Sequence, residues 1–363
     1  MVSIDLRHHG DADIAPGLVD LAVNVRAQVP PGWLVDAITA DPAGWAAYPD
    51  PTQAREALAV RHGVRPDMVL PTAGATEAFS LVAAGLRPRR PVVVHPQFTE
   101  PEAALTDAGI SVRRHLLEAP FTLDPATVPD DADLVVVGNP TNPTGVLHPA
   151  EAIRALRRPG RVVLVDEAFM DFVPGEAESM LRGDLTGVLV TRSLTKMWGL
   201  AGLRVGYVVG DPELIVRLAA VQRPWSVSTP AIDALVACST PDALAEADAA
   251  AHLGVAERES LVRLLAEAGF PAVGDPQTPF VLIDTSRLGS HSVRQALAEH
   301  GFAVRRGETF PGLGPHWIRV AVRDEPTSLR FVRALGRELA VGDRAAFEHE
   351  QQVGIGQPLH GIR

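Results

Sequence analysis

A chain of 363 residues with 46% hydrophobic side chains can fill more than one ordinary core, and an aromatic share of 5% leaves Val, Leu and Ala to fill it. A formal net charge of −11 with no Lys/Arg-rich run argues against a nucleic-acid binder, and no apolar stretch approaches the length of a membrane span. The single cysteine, Cys238, excludes an internal disulfide framework and any multi-cysteine metal site, and the polar start MVSIDLRHHGDADI has no signal-like apolar region, so the expectation is a cytoplasmic enzyme.

In chain order, the helical pattern ATEAFSLVAAGL (75–86) precedes the apolar run PVVVH (91–95). EPEAALTDAG (100–109), ADLVVVGNP (132–140), PAEAIRALRR (149–158), RVVLVDEAF (161–169) and GVLVTRS (187–193) follow. The apolar runs are rich in β-branched residues and do not alternate with polar ones, as expected of strands buried on both faces. Their βαβα order predicts an α/β fold with a doubly wound, mostly parallel sheet. Pro224 and Pro230 bracket a break. A long helical pattern (231–268), the strand PFVLIDTS (279–286) and the helix SVRQALAEHG (292–301) come next. Two strands, FAVRRG and HWIRVAVR, and the helix SLRFVRALGREL complete a smaller α+β C-terminal domain. The expected division is an N-terminal arm with a small-domain segment (1–45), a large domain (46–228), a small domain (229–342) and a loose tail (343–363).

In such sheets ligands bind beyond the carboxyl ends of the strands. VLPTA leads into Gly74-Ala75-Thr76 at the opening of a helix, where free N–H groups and a partial positive charge suit a phosphate. An ordinary N-cap at Thr76 is the plainer alternative, and the absence of G-x-G-x-x-G leaves little case for a dinucleotide. After VVVH comes Phe98, a core residue or a flat wall for a ring. After LVVVG, the turn Asn139-Pro140-Thr141-Asn142-Pro143-Thr144-Gly145 holds more asparagine than turn chemistry requires. VVLV runs into Asp166, and VLV into the stretch SLTKMWGLAGLRVGY, which carries Ser193, Lys196 and Arg204.

One ligand would use all of these. It has a phosphate for 74–76, Ser193 and Arg204, a flat ring for Phe98, and a ring nitrogen kept protonated by Asp166. It also has a phenolic oxygen for Asn142 and an aldehyde for the Lys196 amine. That ligand is pyridoxal 5′-phosphate. A lysine in this role must be able to lose its charge. A carboxylate at the ring nitrogen makes the ring an electron sink, and an arginine meets phosphate oxygens with a fork of donors. Lys196 and Asp166 are the catalytic candidates.

The Asn-Pro-Thr-Gly turn, the Asp-Glu-Ala strand end and Ser-x-x-Lys with an arginine eight later resemble, in order and spacing, the fold-type I pyridoxal-phosphate enzymes, the aspartate-aminotransferase superfamily. The resemblance implies a homodimer with the active site at the interface, in which Tyr48 of AAYPDPT reaches the cofactor phosphate of a neighbouring subunit. Two branches share the Tyr-Pro-Asp-Pro stretch: threonine-phosphate decarboxylase of cobalamin biosynthesis and histidinol-phosphate aminotransferase. RHHGD with His9, Phe169 where aminotransferases usually place a tyrosine, RPWSVS, and Arg323 four residues after Arg319 look like the decarboxylase. Alternation in IRVAVR predicts that Arg319 and Arg323 share a face as a clamp on a substrate carboxylate. Where the decarboxylases have Asn-x-Asn-Pro-x-Gly-Pro, a substrate-contacting loop, this chain has Asn24-Val25-Arg26, so Arg26 is expected to face the cavity and grip a phosphate, the alternatives being an exposed loop arginine or another phosphorylated amino acid as substrate.

The expected activity is decarboxylation of L-threonine O-3-phosphate to aminopropanol phosphate. The alternatives are a histidinol-phosphate-type aminotransferase working with 2-oxoglutarate and glutamate, and a non-catalytic module on the same fold. No metal, nucleic acid or membrane partner is expected. His8 and His9 are neighbours in an extended segment and point apart, which disfavours a shared metal.

Overall fold

Strands apolar at every position must be covered on both faces, and a three-layer arrangement covers them. The structure, a computed structural model, describes residues 5–26 and 29–338. The tail expected at 343–363 lies outside the described residues. A short strand, β1 (Val19–Leu21), leads to the helices α1 (Gly32–Ile38) and α2 (Thr52–His62). The large sheet follows, built from β2 (Val69–Thr72), β3 (Pro91–His95), β4 (Arg113–Leu116), β5 (Leu134–Gly138), β6 (Val162–Asp166), β7 (Val188–Ser193) and β8 (Gly206–Gly210). Its order is β2-β8-β7-β6-β5-β3-β4, and only β8 runs against the rest. The helices α3 (Gly74–Leu86), α4 (Glu100–Asp107) and α5 (Ala150–Arg154) lie between these strands in the chain, and α6 (Pro212–Ala219) follows β8.

Period-two alternation divides the strand side chains between two cores. Val93, Val136, Leu164, Leu189 and Val208 pack beneath α3, α4 and α6. Val92, Val135, Val163, Val190 and Val209 face the opposite way, toward α1, α2 and α5.

The helical pattern at 231–268 is two helices, α7 (Thr229–Ala237) and α8 (Pro241–Glu267). Thr240 caps the second, its side chain accepting from the Ala243 N–H, and Pro241 fits the first turn, where its missing donor costs nothing. Ala231, Leu235, Ala243 and Ala250 belong to the core of the large sheet, whereas Leu261 and Leu265 belong to that of the small one. The change of core therefore falls inside α8, not at residue 229. The small sheet, in the order β1-β10-β11-β9, is built from β9 (Phe280–Asp284), β10 (Phe302–Arg306) and β11 (Trp317–Ala321), with β1 brought in from the N-terminal arm. The short helix α9 (Arg294–Glu299) and a helical stretch at 325–338 close this unit.

One close approach fixes the sheet against α3. A Cβ on Gly206 would stand 2.7 Å from the Gly74 carbonyl carbon and 2.9 Å from the Ala75 nitrogen. Backbone cannot yield as a flexible side chain can. Gly206→Ala is therefore expected to lower stability by about 1–3 kcal/mol through overpacking, read as a lower urea midpoint. An unchanged midpoint would mean that the start of α3 is free to shift.

Candidate active site

The large and small sheets enclose a cavity of about 550 Å³. It opens where the chain connections of the sheet reverse, between β3 and β5, the usual ligand crevice of an open α/β sheet. Phe98 follows β3 and Asn142 follows β5, and both line the cavity. Asp166 and Ser193, the last residues of β6 and β7, line it too, with Thr195 and Lys196 just beyond.

The anion end is built at the start of α3. The N-cap position is Ala73, not Thr76, and it makes no side-chain capping bond. The first-turn N–H groups near Ala75 and Thr76 are thus left for an anion at the positive end of the helix. Gly74 is needed beneath them: its φ is +78°, and a Cβ there would lie 2.8 Å from Nη2 of Arg204. The Arg204 guanidinium therefore lies against the helix start.

At the other end, Thr191 Oγ1 (3.0 Å) and the Ala168 N–H (3.2 Å) both donate to Oδ1 of Asp166, leaving Oδ2 for a partner in the cavity. Burial pushes the Asp166 carboxyl up to about 6, against the pull of those two donors and of Lys196. The Lys196 amine is pushed down to about 8, first by burial and then by the positive charges of Arg319 and Arg204. Its accessible surface faces the cavity, so the amine stays reachable although the protein surrounds it.

Arg319 is 4% exposed and spans the two sheets. Its Nη1 donates to Asn142 Oδ1 and its Nη2 to the Ala22 carbonyl, both at 2.5 Å. Its Nε has no partner, and among the described residues no carboxylate forms an ion pair with it. Burial, with help from Arg305, drives its pKa well down, as expected of a cation in need of an anion.

The arginine beside it is not the one that alternation suggests. β11 ends at Ala321, and Arg323 lies past it, donating to the Val23 carbonyl at 2.9 Å instead of lining the cavity. The neighbour of Arg319 is Arg305, its cross-strand partner in register on β10. Arg305 stacks 4.8 Å over Phe310, and both line the cavity. Sequence could not reveal this pair, because the register of two strands separated by a loop is set by packing.

His9 and Asn24 line the cavity, and among the described residues Oδ1 of Asn24 has no partner there. His9 pairs with Glu100 at 2.7 Å and His8 with Asp13 at 3.2 Å, so the two rings diverge. The expectation for Arg26 is corrected. Its side chain is exposed and outside the cavity lining, and only its backbone N–H meets the site, donating to the Lys196 carbonyl at 3.0 Å. Tyr48 is also outside, 76% exposed and stacked on Trp225 with ring centroids 4.2 Å apart. Phe169 lines the cavity edge-on to Phe280. Sequence reading also missed Thr191 and Glu100, since neither sits in a recognisable motif.

Residues 16–335 match the family model for aminotransferase class I and II. The chain belongs to that family. The chain is 49% identical to a histidinol-phosphate aminotransferase of Mycobacterium tuberculosis, over 88% of this chain and 87% of that one. It is 31% identical to the threonine-phosphate decarboxylase of Salmonella typhimurium, over 79% and 82% of the two chains. The solved aspartate aminotransferase of Thermus thermophilus superposes with a TM-score of 0.80 at 26% identity, covering 89% of this chain and 92% of that one.

Enzymes of this family use pyridoxal 5′-phosphate. The cavity fits that group: a cradle at Gly74, whose positive φ favours glycine, a free carboxylate oxygen on Asp166, an aromatic wall at Phe98 and a depressed amine at Lys196. When bound, the cofactor supplies an electron sink for the bond broken at the substrate's α-carbon. Asp166 would hold a proton at the ring nitrogen, Asn142 and Arg319, which share one hydrogen bond, would face the same group, and Lys196, the only amine in the lining, would carry a proton to and from the α-carbon.

The depressed amine sets the pH dependence of cofactor capture. The neutral amine reacts, and it prevails above the shifted pKa. Capture of the aldehyde by apoprotein is therefore expected to quicken as pH rises through about 8 and to level off above it, followed by absorbance. A midpoint near the ordinary lysine value would mean that burial has no effect here. Lys196→Ala should keep the fold and abolish the borohydride-fixed adduct.

Proposed function

We propose that this enzyme acts on a small phosphorylated amino acid, and that its reaction is decarboxylation of L-threonine O-3-phosphate to aminopropanol phosphate, a step of cobalamin biosynthesis. The observation that carries the reading is the cross-strand pair Arg305 and Arg319, two buried guanidinium groups facing the Lys196 cavity from one sheet. A molecule with both a carboxylate and a phosphate answers both at once. Histidinol phosphate has no carboxylate to offer Arg319 in its half of a transamination, whereas Arg305 already pairs with Asp13. Phe169 supports the same side, because a ring without a hydroxyl makes no hydrogen bond to the cofactor's phenolic oxygen.

A second reading is transamination between histidinol phosphate and 2-oxoglutarate. The 49% identity to relatives named for that reaction favours it. One pair of assays separates the two. Threonine phosphate alone should release CO2 catalytically under the first reading, and histidinol phosphate with 2-oxoglutarate should yield glutamate under the second. Glutamate formation without CO2 release overturns the decarboxylase. Under either, Arg319→Ala and Arg305→Ala should each raise the KM of the phosphorylated substrate about ten- to a hundredfold, the worth of one charge-assisted contact of about 1.5–3 kcal/mol. Arg26→Ala, outside the cavity, should change it by less than about twofold.

The active form is a homodimer in this reading, with Tyr48 serving the cofactor phosphate of a second copy. Its exposure and its absence from the lining of its own cavity support this. Full turnover by a species that light scattering finds monomeric would rule it out. The expected compartment is the cytoplasm, and among the described residues no helix is long and apolar enough to cross a membrane.

A further inference from the structure

On the sheet face away from the cavity lies a cluster that the chemistry above does not use. Consecutive strand residues point to opposite faces. Asp166 and Ser193 face the cavity; Arg192, next to Ser193 within β7, points the other way, and Glu167, the first residue past β6, meets it there, both 1% exposed. Nη2 of Arg192 lies 3.0 Å from Oε2 of Glu167, Nη1 lies 3.1 Å from Oδ1 of Asp171, and Glu176 also pairs with Nη2. Glu167 further accepts from Ser179 Oγ and the Met180 N–H, each at 2.7 Å. Arg61, from α2, closes on Asp171 at 2.7 Å.

We propose that Glu167 and Arg192 are a positioning pair for the cofactor: by tying the end of β6 to the end of β7 from behind, they set where Asp166 and Ser193 stand in the cavity. The inference rests on the reading of the cavity as the pyridoxal-phosphate site. The connection is short. The Glu167 N–H donates to the Thr191 carbonyl at 2.9 Å, and Thr191, which immediately precedes Arg192, holds Asp166 through its own hydroxyl at 3.0 Å. A shift of Arg192 therefore moves the residue that orients the Asp166 carboxylate, and it moves Ser193 on its other side. The remaining members anchor the pair: Asp171 and Glu176 follow β6 in the chain, Ser179 donates to the same Glu167 oxygen that meets Arg192, and the Met180 N–H holds the other. Their role is to leave Arg192 one place to sit.

The test uses holoenzyme carrying Glu167→Gln, which keeps the shape and removes the charge. Cofactor release, followed by absorbance after dilution into a trap, is expected to quicken about tenfold, the usual scale for a lost second-layer partner of a bound group. Turnover should fall by a similar factor while the substrate KM stays within about twofold, because the substrate arginines are on the other sheet. Glu167→Asp, which restores the charge, should recover part of the loss. A folded Glu167→Gln enzyme with unchanged release rate and turnover overturns the proposal. If that variant does not fold, Ser179→Ala, which removes one hydrogen bond to Glu167, should still quicken release, and no change in it would be equally decisive. Wild-type protein that takes up no cofactor and gives no borohydride adduct would instead defeat the reading of the cavity itself.

Discussion

Six of the seven strands in the large sheet run in one direction, so their carboxyl ends emerge along one edge. Parallel strands need crossovers long enough to return the chain, and these cover both faces of the sheet. The faces are thereby spent on packing, and the edge is the place left for chemistry. Phe98, Asn142, Asp166 and Ser193 come from four different strand ends and meet there because the strands that carry them are neighbours. The one reversed strand, β8, returns the chain past the start of α3, and with it comes Arg204.

Two buried charges at that edge are left deliberately out of balance by the fold. Lys196 is discharged toward neutrality by burial and by neighbouring cations, and Asp166 is lifted toward the range where it exchanges a proton with a bound partner. Arg319 lies between the sheets with an unpartnered Nε, tied to a large-domain asparagine and to the backbone at Ala22. It thus bridges the turn after β5 and the segment of chain that leaves β1. The acidic counterpart, Asp13, holds Arg305 and Arg306 instead, which keeps Arg319 open to an incoming anion.

The opposite face of the sheet shows the contrast. There Arg192 is surrounded by Glu167, Asp171 and Glu176, and their charges are met inside the protein. Such a network costs desolvation and gives placement in return. The cavity side exposes charges to a ligand, and the back side consumes them to hold the strand ends still. Arg192 and Ser193, adjacent in β7, serve the two purposes because the side-chain period is two.

The sequence by itself determined the α/β class, the strands that build the large sheet's centre and the motif residues Asn142, Asp166, Ser193, Lys196 and Arg204, because strand burial and strand-end turns leave local signatures in residue type and spacing. It did not reveal the short strands β1 and β4, since three or four residues carry no period, and it read two helices as one where Thr240 and Pro241 mark the break. Tertiary structure alone decided which arginine stands beside Arg319. Alternation along one strand pointed to Arg323, but the strand ends before it, and cross-strand register brought in Arg305 from β10. It also decided that Arg26 faces outward, because the direction of a side chain in a connecting segment follows from the backbone bonds around it, here the one to the Lys196 carbonyl, and not from the residue's charge.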